Sequence, residues 1–207
     1  KSLNLDLSFF GENHPEVASG YYNIGYVYFA QGDYSKALEY FEEVLKIRLS
    51  VYGENHSRVA SVYNDIGEIY SVQGDDFKAL DYFKKSLKIV LSVYGENHSQ
   101  VSSIYDHIGE IYFAQKDYSK ALYYFEESLK IRLSLFGENH PEVALSYYSI
   151  GSLYIIQGDK SKALNYYEKS LKIRLSVYGE NHPLTKEIMD LINVANSKEL
   201  QSPETTK

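Results

Sequence analysis

The chain has 207 residues, a formal net charge of −7, 22 tyrosines and no cysteine. Its acidic balance, with a pI near 5.4, argues against nucleic acid and against anionic membrane, because neutralising phosphates takes a surplus of Lys and Arg on one face. The lack of cysteine excludes disulfide staples and thiolate chemistry, and no apolar run approaches the roughly 20 residues that span a bilayer. With no secretory signal pattern either, the expected location is the cytoplasm.

Gly-Glu-Asn-His occurs five times, starting at Gly11, Gly53, Gly95, Gly137 and Gly179, always 42 residues apart. A fixed period of this size marks one supersecondary unit stacked repeatedly, each copy burying its apolar face on its neighbours. The array is therefore read as one cooperative unit. In chain order, Lys1-Ser2-Leu3 aligns with Lys169-Ser170-Leu171, so residues 1–10 read as the second half of a truncated preceding helix B.

Four 42-residue repeats follow over 11–182. In the first, Val17, Tyr21, Ile24 and Tyr28 fall on one stripe of a helix, which predicts helix A over about 15–30. Gln31-Gly32-Asp33 interrupts it: glycine tolerates a left-handed C-cap, and the Asp carboxylate accepts the orphan amides of the next helix. Helix B, about 34–52, carries Ala37, Leu38, Phe41, Val44, Leu45, Leu49 and Tyr52 and stops at Gly53.

Gly25, Gly67, Gly109 and Gly151 on helix A, and Ala37, Ala79, Ala121 and Ala163 on helix B, are small at constant sites, which places the crossing of A and B there. Glu42–Lys46, Glu126–Lys130 and Glu168–Lys172 have the favourable i to i+4 order for the outer face of helix B. Residues 183–200 align with helix A but carry Asn193 in place of the crossing glycine. Ile188, Leu191, Ile192 and Ala195 lie on one stripe with charge elsewhere, the pattern of a solvating terminal cap. Residues 201–207 are polar and expected to be disordered.

These columns resemble the tetratricopeptide repeat family, and the 42-residue period is similar to the repeats of kinesin light chains. The opening aromatic matches Tyr21, Tyr63, Tyr105 and Tyr147, followed by Ile-Gly at Ile24-Gly25 and its three copies. The second aromatic matches Tyr28, Tyr70, Tyr112 and Tyr154, and the later one on helix B matches Phe41, Phe83, Phe125 and Tyr167. The chain departs from the pattern at Lys116, where the turn glycine is missing and strain is expected. Asp76 and Lys160 also replace the post-turn aromatic found at Tyr34 and Tyr118. The resemblance implies an all-α, right-handed superhelical solenoid of helical hairpins that acts as a protein-interaction scaffold.

Catalytic chemistry has no foothold. His14, His56, His98, His140 and His182 recur at the repeat spacing, so neighbouring copies sit about 10 Å apart, too far to share a zinc whose ligands lie within about 2.3 Å. A loop-and-cap role suits them better. No zincin pair, phosphate-cradling loop or nucleophile elbow is present, so neither enzyme activity, metal nor cofactor is expected.

Positions that differ between otherwise matching copies are those the stack does not dictate. In helix A these form a stripe whose members include Tyr22, Tyr26, Asn64, Asp65, Glu68, Asp106, His107, Glu110 and Tyr148. In the family this stripe lines a concave groove that contacts extended peptides, and the resemblance carries that role here. The stripe holds no Lys or Arg, and Asp65, Glu68, Asp106 and Glu110 make an acidic centre. The expected partner is thus a protein or peptide, basic or neutral, with an apolar anchor. Rival readings are a structural array that self-associates end to end through the truncated N-terminal helix, and a repeat protein without a selected ligand.

Overall fold

The computed structural model describes residues 9–197, so the expectations for most of the truncated helix, the last residues of the cap and the polar tail lie outside the described residues. Nine complete helices are present there, with no strand: α1 (Pro15–Ala30), α2 (Tyr34–Tyr52), α3 (Ser57–Val72), α4 (Asp76–Tyr94), α5 (Ser99–Ala114), α6 (Tyr118–Phe136), α7 (Pro141–Ile156), α8 (Lys160–Tyr178) and α9 (Pro183–Ser197). They fall into two compact units divided between Glu96 and Asn97, where the sequence reading has one cooperative array. The first unit contains α1–α4 and the second α5–α9. Asn97 belongs with the second, its side-chain amide donating to Ser134 Oγ at 3.1 Å.

The boundaries are set by caps. Each A helix begins after the histidine of a Gly-Glu-Asn-His loop, whose Nδ1 accepts the backbone N–H two residues on: Glu16 from His14, Arg58 from His56, Gln100 from His98 and Glu142 from His140, at 3.1–3.2 Å. Leu184 N–H meets His182 in the same way at 3.3 Å. Several rings also stack on the last aromatic of the preceding helix, as His56 does on Tyr52 at 4.6 Å between centroids. The histidines are therefore N-caps and hinge packing at once, which explains their repetition without a metal.

Each B helix begins at Asp33, Asp75, Asp117 or Asp159, whose carboxylate accepts the N–H three residues on and pairs with that lysine at 2.6–3.1 Å. Gly32, Gly74 and Gly158 take φ of 76–80° in the turn before it. Lys116 is forced to φ 62° at the same place, the only non-glycine with positive φ among the described residues. A side chain there meets its own backbone, so the strain expected of that turn is present.

Each A helix packs most extensively on its own B helix, and within a unit each B helix packs on the following A helix. The closest approach is at the helix A glycines. A Cβ on Gly67, Gly109 or Gly151 would sit 2.7–2.8 Å from the ring of Phe83, Phe125 or Tyr167, and one on Gly25 would sit 3.1 Å from Phe41. The crossing is thus glycine against an aromatic face, with the helix B alanines, all at 0% exposure, packed beside it.

Around these contacts, among the described residues, lie apolar cores in each unit. One holds Val17, Phe41, Ile66 and Ile69, and the other holds Phe125, Val143, Ile150 and Leu153. Burying each such side chain contributes about 1.5–3 kcal/mol. Ser86 and Ser170 also donate to the carbonyls of Ala60 and Ala144 at 2.8 and 2.7 Å, tying B helices to their own A helices inside the core.

The tyrosine columns are packing elements. Tyr40 stacks on Tyr28 at 5.6 Å and tilts against Tyr21 at 5.9 Å, and the trio recurs around Tyr82, Tyr124 and Tyr166. One expectation is corrected: Lys46 and Lys130 pair with Glu43 and Glu127, three residues away, at 3.6 and 3.7 Å, rather than with Glu42 and Glu126. Both spacings bring side chains together on a helix surface, and these exposed pairs contribute little either way.

Candidate functional site

The variable stripe of the A helices is distributed over both units. In the first, Tyr22 on α1 is half-buried, its ring tilted on Phe41 at 5.4 Å and overlaid by the Arg48 guanidinium of α2 at 5.1 Å. Its hydroxyl reaches Asp65 on α3. Burial first, then the Asp65 charge and hydrogen bond, push that hydroxyl far above its ordinary range and keep it protonated.

Arg48 also donates from Nη1 to the carbonyl of Arg58 at 2.8 Å and to Ser61 Oγ at 3.0 Å, joining three helices. Asn64 on α3 donates from Nδ2 to Glu68 at 2.6 Å, while its Oδ1 is buried with no hydrogen-bond partner. Tyr26, one turn beyond Tyr22, is 59% exposed and touches Phe29 at 6.5 Å between rings.

In the second unit Asp106 on α5 is largely buried and ion-paired with Arg132 of α6 at 2.7 Å. Arg132, with a side chain only 5% exposed, also pairs with Glu142 of α7 at 3.0 Å and donates to Ser146 Oγ at 2.8 Å. Burial pushes the Asp106 carboxyl up to about 6, against the opposing pull of Arg132. The Ser128 hydroxyl lies nearby but lacks hydrogen-bond geometry.

His107 lies 4.0 Å from Glu110, whose side chain is 68% exposed. Tyr148 on α7 donates to Glu187 of α9 at 3.0 Å and lies under Arg174 of α8 at 4.9 Å. Arg174 in turn donates to the carbonyl of Leu184 at 2.6 Å and pairs with Glu187 at 3.5 Å.

Arg48, Arg132 and Arg174 are the residues that reading the stripe alone misses. The stripe has no Lys or Arg of its own, but helix B supplies an arginine beside it in three hairpins. The charge of Asp106 is thereby compensated within its own unit. The signal lies in paired columns. Arg48 faces Tyr22, Arg132 faces Asp106 and Arg174 faces Tyr148, and in the second repeat, where Val90 replaces the arginine, the stripe residue is Asn64. A cation is matched by an aromatic face or a carboxylate, so part of the variation in this stripe serves packing.

Profiles of the tetratricopeptide repeat match residues 1–50, 16–92, 58–134 and 100–176. The chain belongs to the tetratricopeptide repeat family. Proteins of this family generally serve as protein-interaction scaffolds and are typically not enzymes.

Among solved structures, BtubC (BKLC) from P. vanneervenii is similar over 81% of this chain and 66% of its own, at 27% identity and a TM-score of 0.72. The nearly identical TPR-like repeats of a putative kinesin light chain from Podosopora anserina match 91% of this chain and 99% of theirs, at 16% identity and a TM-score of 0.70. The apo form of RapI matches 88% of this chain and 64% of its own, at 18% identity and a TM-score of 0.74. At such identities the last two show the shared fold of tandem helical hairpins. The chain spans just under two thirds of the BtubC and RapI chains. No curated protein matches it.

Proposed function

We propose that the tetratricopeptide hairpins bind peptide segments of a protein partner on the variable stripe of their A helices, and that the preferred peptides are basic or neutral with an apolar anchor. The observation that carries this reading is Tyr26, left 59% exposed on the stripe while Tyr21 and Tyr28 on the same helix are packed. Its equivalents in the next two repeats are Glu68 and Glu110. The column thus presents an aromatic face in one hairpin and carboxylates in two others. An exposed tyrosine offers a large contact area at low entropic cost, and the carboxylates select against acidic ligands.

Asp106 is a poor probe of this idea, because replacing it disturbs the ion pair with Arg132. Tyr26→Ala and Glu110→Lys alter exposed side chains and leave that framework alone. A random peptide library screened at low salt is expected to enrich Lys- or Arg-bearing sequences around an apolar residue. Binding of the selected peptides should weaken at least tenfold in Tyr26→Ala or Glu110→Lys. A screen without enrichment, or selected peptides indifferent to both substitutions, refutes the proposal.

A further inference from the structure

A cavity of about 240 Å³ opens in the second unit where α7, α8 and α9 meet, lined by Ile155, Gly158, Lys160, Tyr167, Leu191, Val194 and Ala195. The repeat supplies its own template for this space. In the first hairpin the same place is filled by the ring pair Phe29 and Tyr34, 5.9 Å apart and packed on the core that holds Phe41 and Ile69. In the third it is filled by Phe113 and Tyr118, 5.9 Å apart and packed on the core with Phe125 and Leu153.

In the fourth hairpin the pair becomes Ile155 and Lys160, and the residue on the next helix equivalent to Ile69 and Leu153 becomes Ala195. Three contractions at one point leave a vacancy the size of an aromatic side chain. An apolar cavity of about 150 Å³ already admits benzene.

The rim has changed in the same direction. Leu191 and Val194 stand where the first unit has Asp65 and Glu68, so the wall facing the cavity is apolar. Val194 is 54% and Ile155 41% exposed, which leaves apolar surface in water at the mouth. Tyr167, 2% exposed, forms the floor. The lining holds one cation, Lys160, and no carboxylate.

We infer that this cavity is a docking site for a Phe or Tyr side chain of a protein partner, inserted in the place that Tyr34 and Tyr118 occupy in their own hairpins. The rim continues the stripe columns of Asp65 and Glu68 onto the last helix, but the inference rests on the cavity and does not depend on the reading given for Tyr26 and Glu110.

The test uses the whole chain and a defined probe, acetyl-Gly-Ser-Phe-Ser-Gly-amide, with an Ala-centred peptide as control. Backbone amide shifts of Val194 and Ala195 should titrate saturably with the Phe peptide. Affinity should fall at least tenfold with Ala at the centre. Ile155→Phe combined with Lys160→Tyr installs the ring pair of the other hairpins and should abolish the titration while the helical signal is retained. Should that double variant misfold, Ala195→Leu, the residue the third hairpin's cavity receives from Leu153, fills the same space and should act likewise.

The absence of a saturable shift in the parent chain overturns the inference, as does equal binding by a folded, filled variant. Sedimentation velocity covers the other occupant: a concentration-dependent dimer that the filling substitutions abolish would assign the cavity to a second copy and also overturn it.

Discussion

Replacing Arg132 by Val reproduces in the third hairpin the residue that the second hairpin carries at Val90, and should be strongly destabilising on its own. The Arg132 side chain is 5% exposed and holds Asp106 at 2.7 Å, Glu142 at 3.0 Å and Ser146 at 2.8 Å. Glu142 is 46% exposed on its side chain and regains water when the arginine goes, but Asp106, at 20%, does not. Leaving one buried charge uncompensated costs about 3–5 kcal/mol.

The second hairpin shows the remedy, since Val90 is accompanied by Asn64. Asp106→Asn together with Arg132→Val should therefore cost well below the sum of the single changes, with a coupling of about 2 kcal/mol or more. Urea denaturation followed by circular dichroism gives the midpoints and slopes for all four proteins.

The pH dependence supplies an independent arm. Asp106 is raised in the folded chain to about 6 from an ordinary 3.8, so stability from its protonation is complete below about 3.8 and is lost as pH rises through about 6. At about 1.4 kcal/mol per unit, this group changes stability by about 3 kcal/mol between those limits, a change that Asp106→Asn should abolish. Removing Arg132 takes away the pull that lowers Asp106, so Arg132→Val alone should lose stability more steeply between pH 4 and 7 than the parent chain. Additive costs in the cycle, or equal pH profiles for Arg132→Val and the double variant, refute the pairing.

Three further outcomes are expected. Gly109→Ala places a methyl group 2.7 Å from the Phe125 ring and should destabilise by about 1–3 kcal/mol, whereas Gly25→Ala, at 3.1 Å, should cost less; thermal melts of both test that order. Lys116→Gly relieves the φ 62° turn and should stabilise by about 1 kcal/mol, a rise visible in the urea midpoint. His56→Ala removes the acceptor for Arg58 N–H and should lower stability by about 1 kcal/mol, while His56→Asn should retain most of it by capping the helix with an amide oxygen.

Local chemistry was highly legible in this sequence because the repeat prints it several times. The Asp after each turn, the glycine or lysine before it and the histidine of each loop occupy cap positions whose needs are set by a few neighbouring backbone groups. Interactions between columns far apart in sequence were harder to read. Arg132 lies in an amphipathic helix among exposed lysines, and nothing nearby indicates that it turns inward to Asp106. Only comparison of Arg48, Val90, Arg132 and Arg174 with Tyr22, Asn64, Asp106 and Tyr148 exposes the match. The last helix shows the same limit. Its apolar stripe suits a cap, but the cavity beside Ala195 depends on contractions at Ile155 and Lys160 about forty residues earlier.

Photo-crosslinking of a library-selected basic peptide to the intact chain, with adducts located by mass spectrometry, tests the central functional claim most directly. The account predicts adducts on the A-helix stripe, at Tyr26 and around Glu68 or Glu110. Adducts confined to the tyrosine trios around Tyr40, Tyr82, Tyr124 and Tyr166 would contradict it.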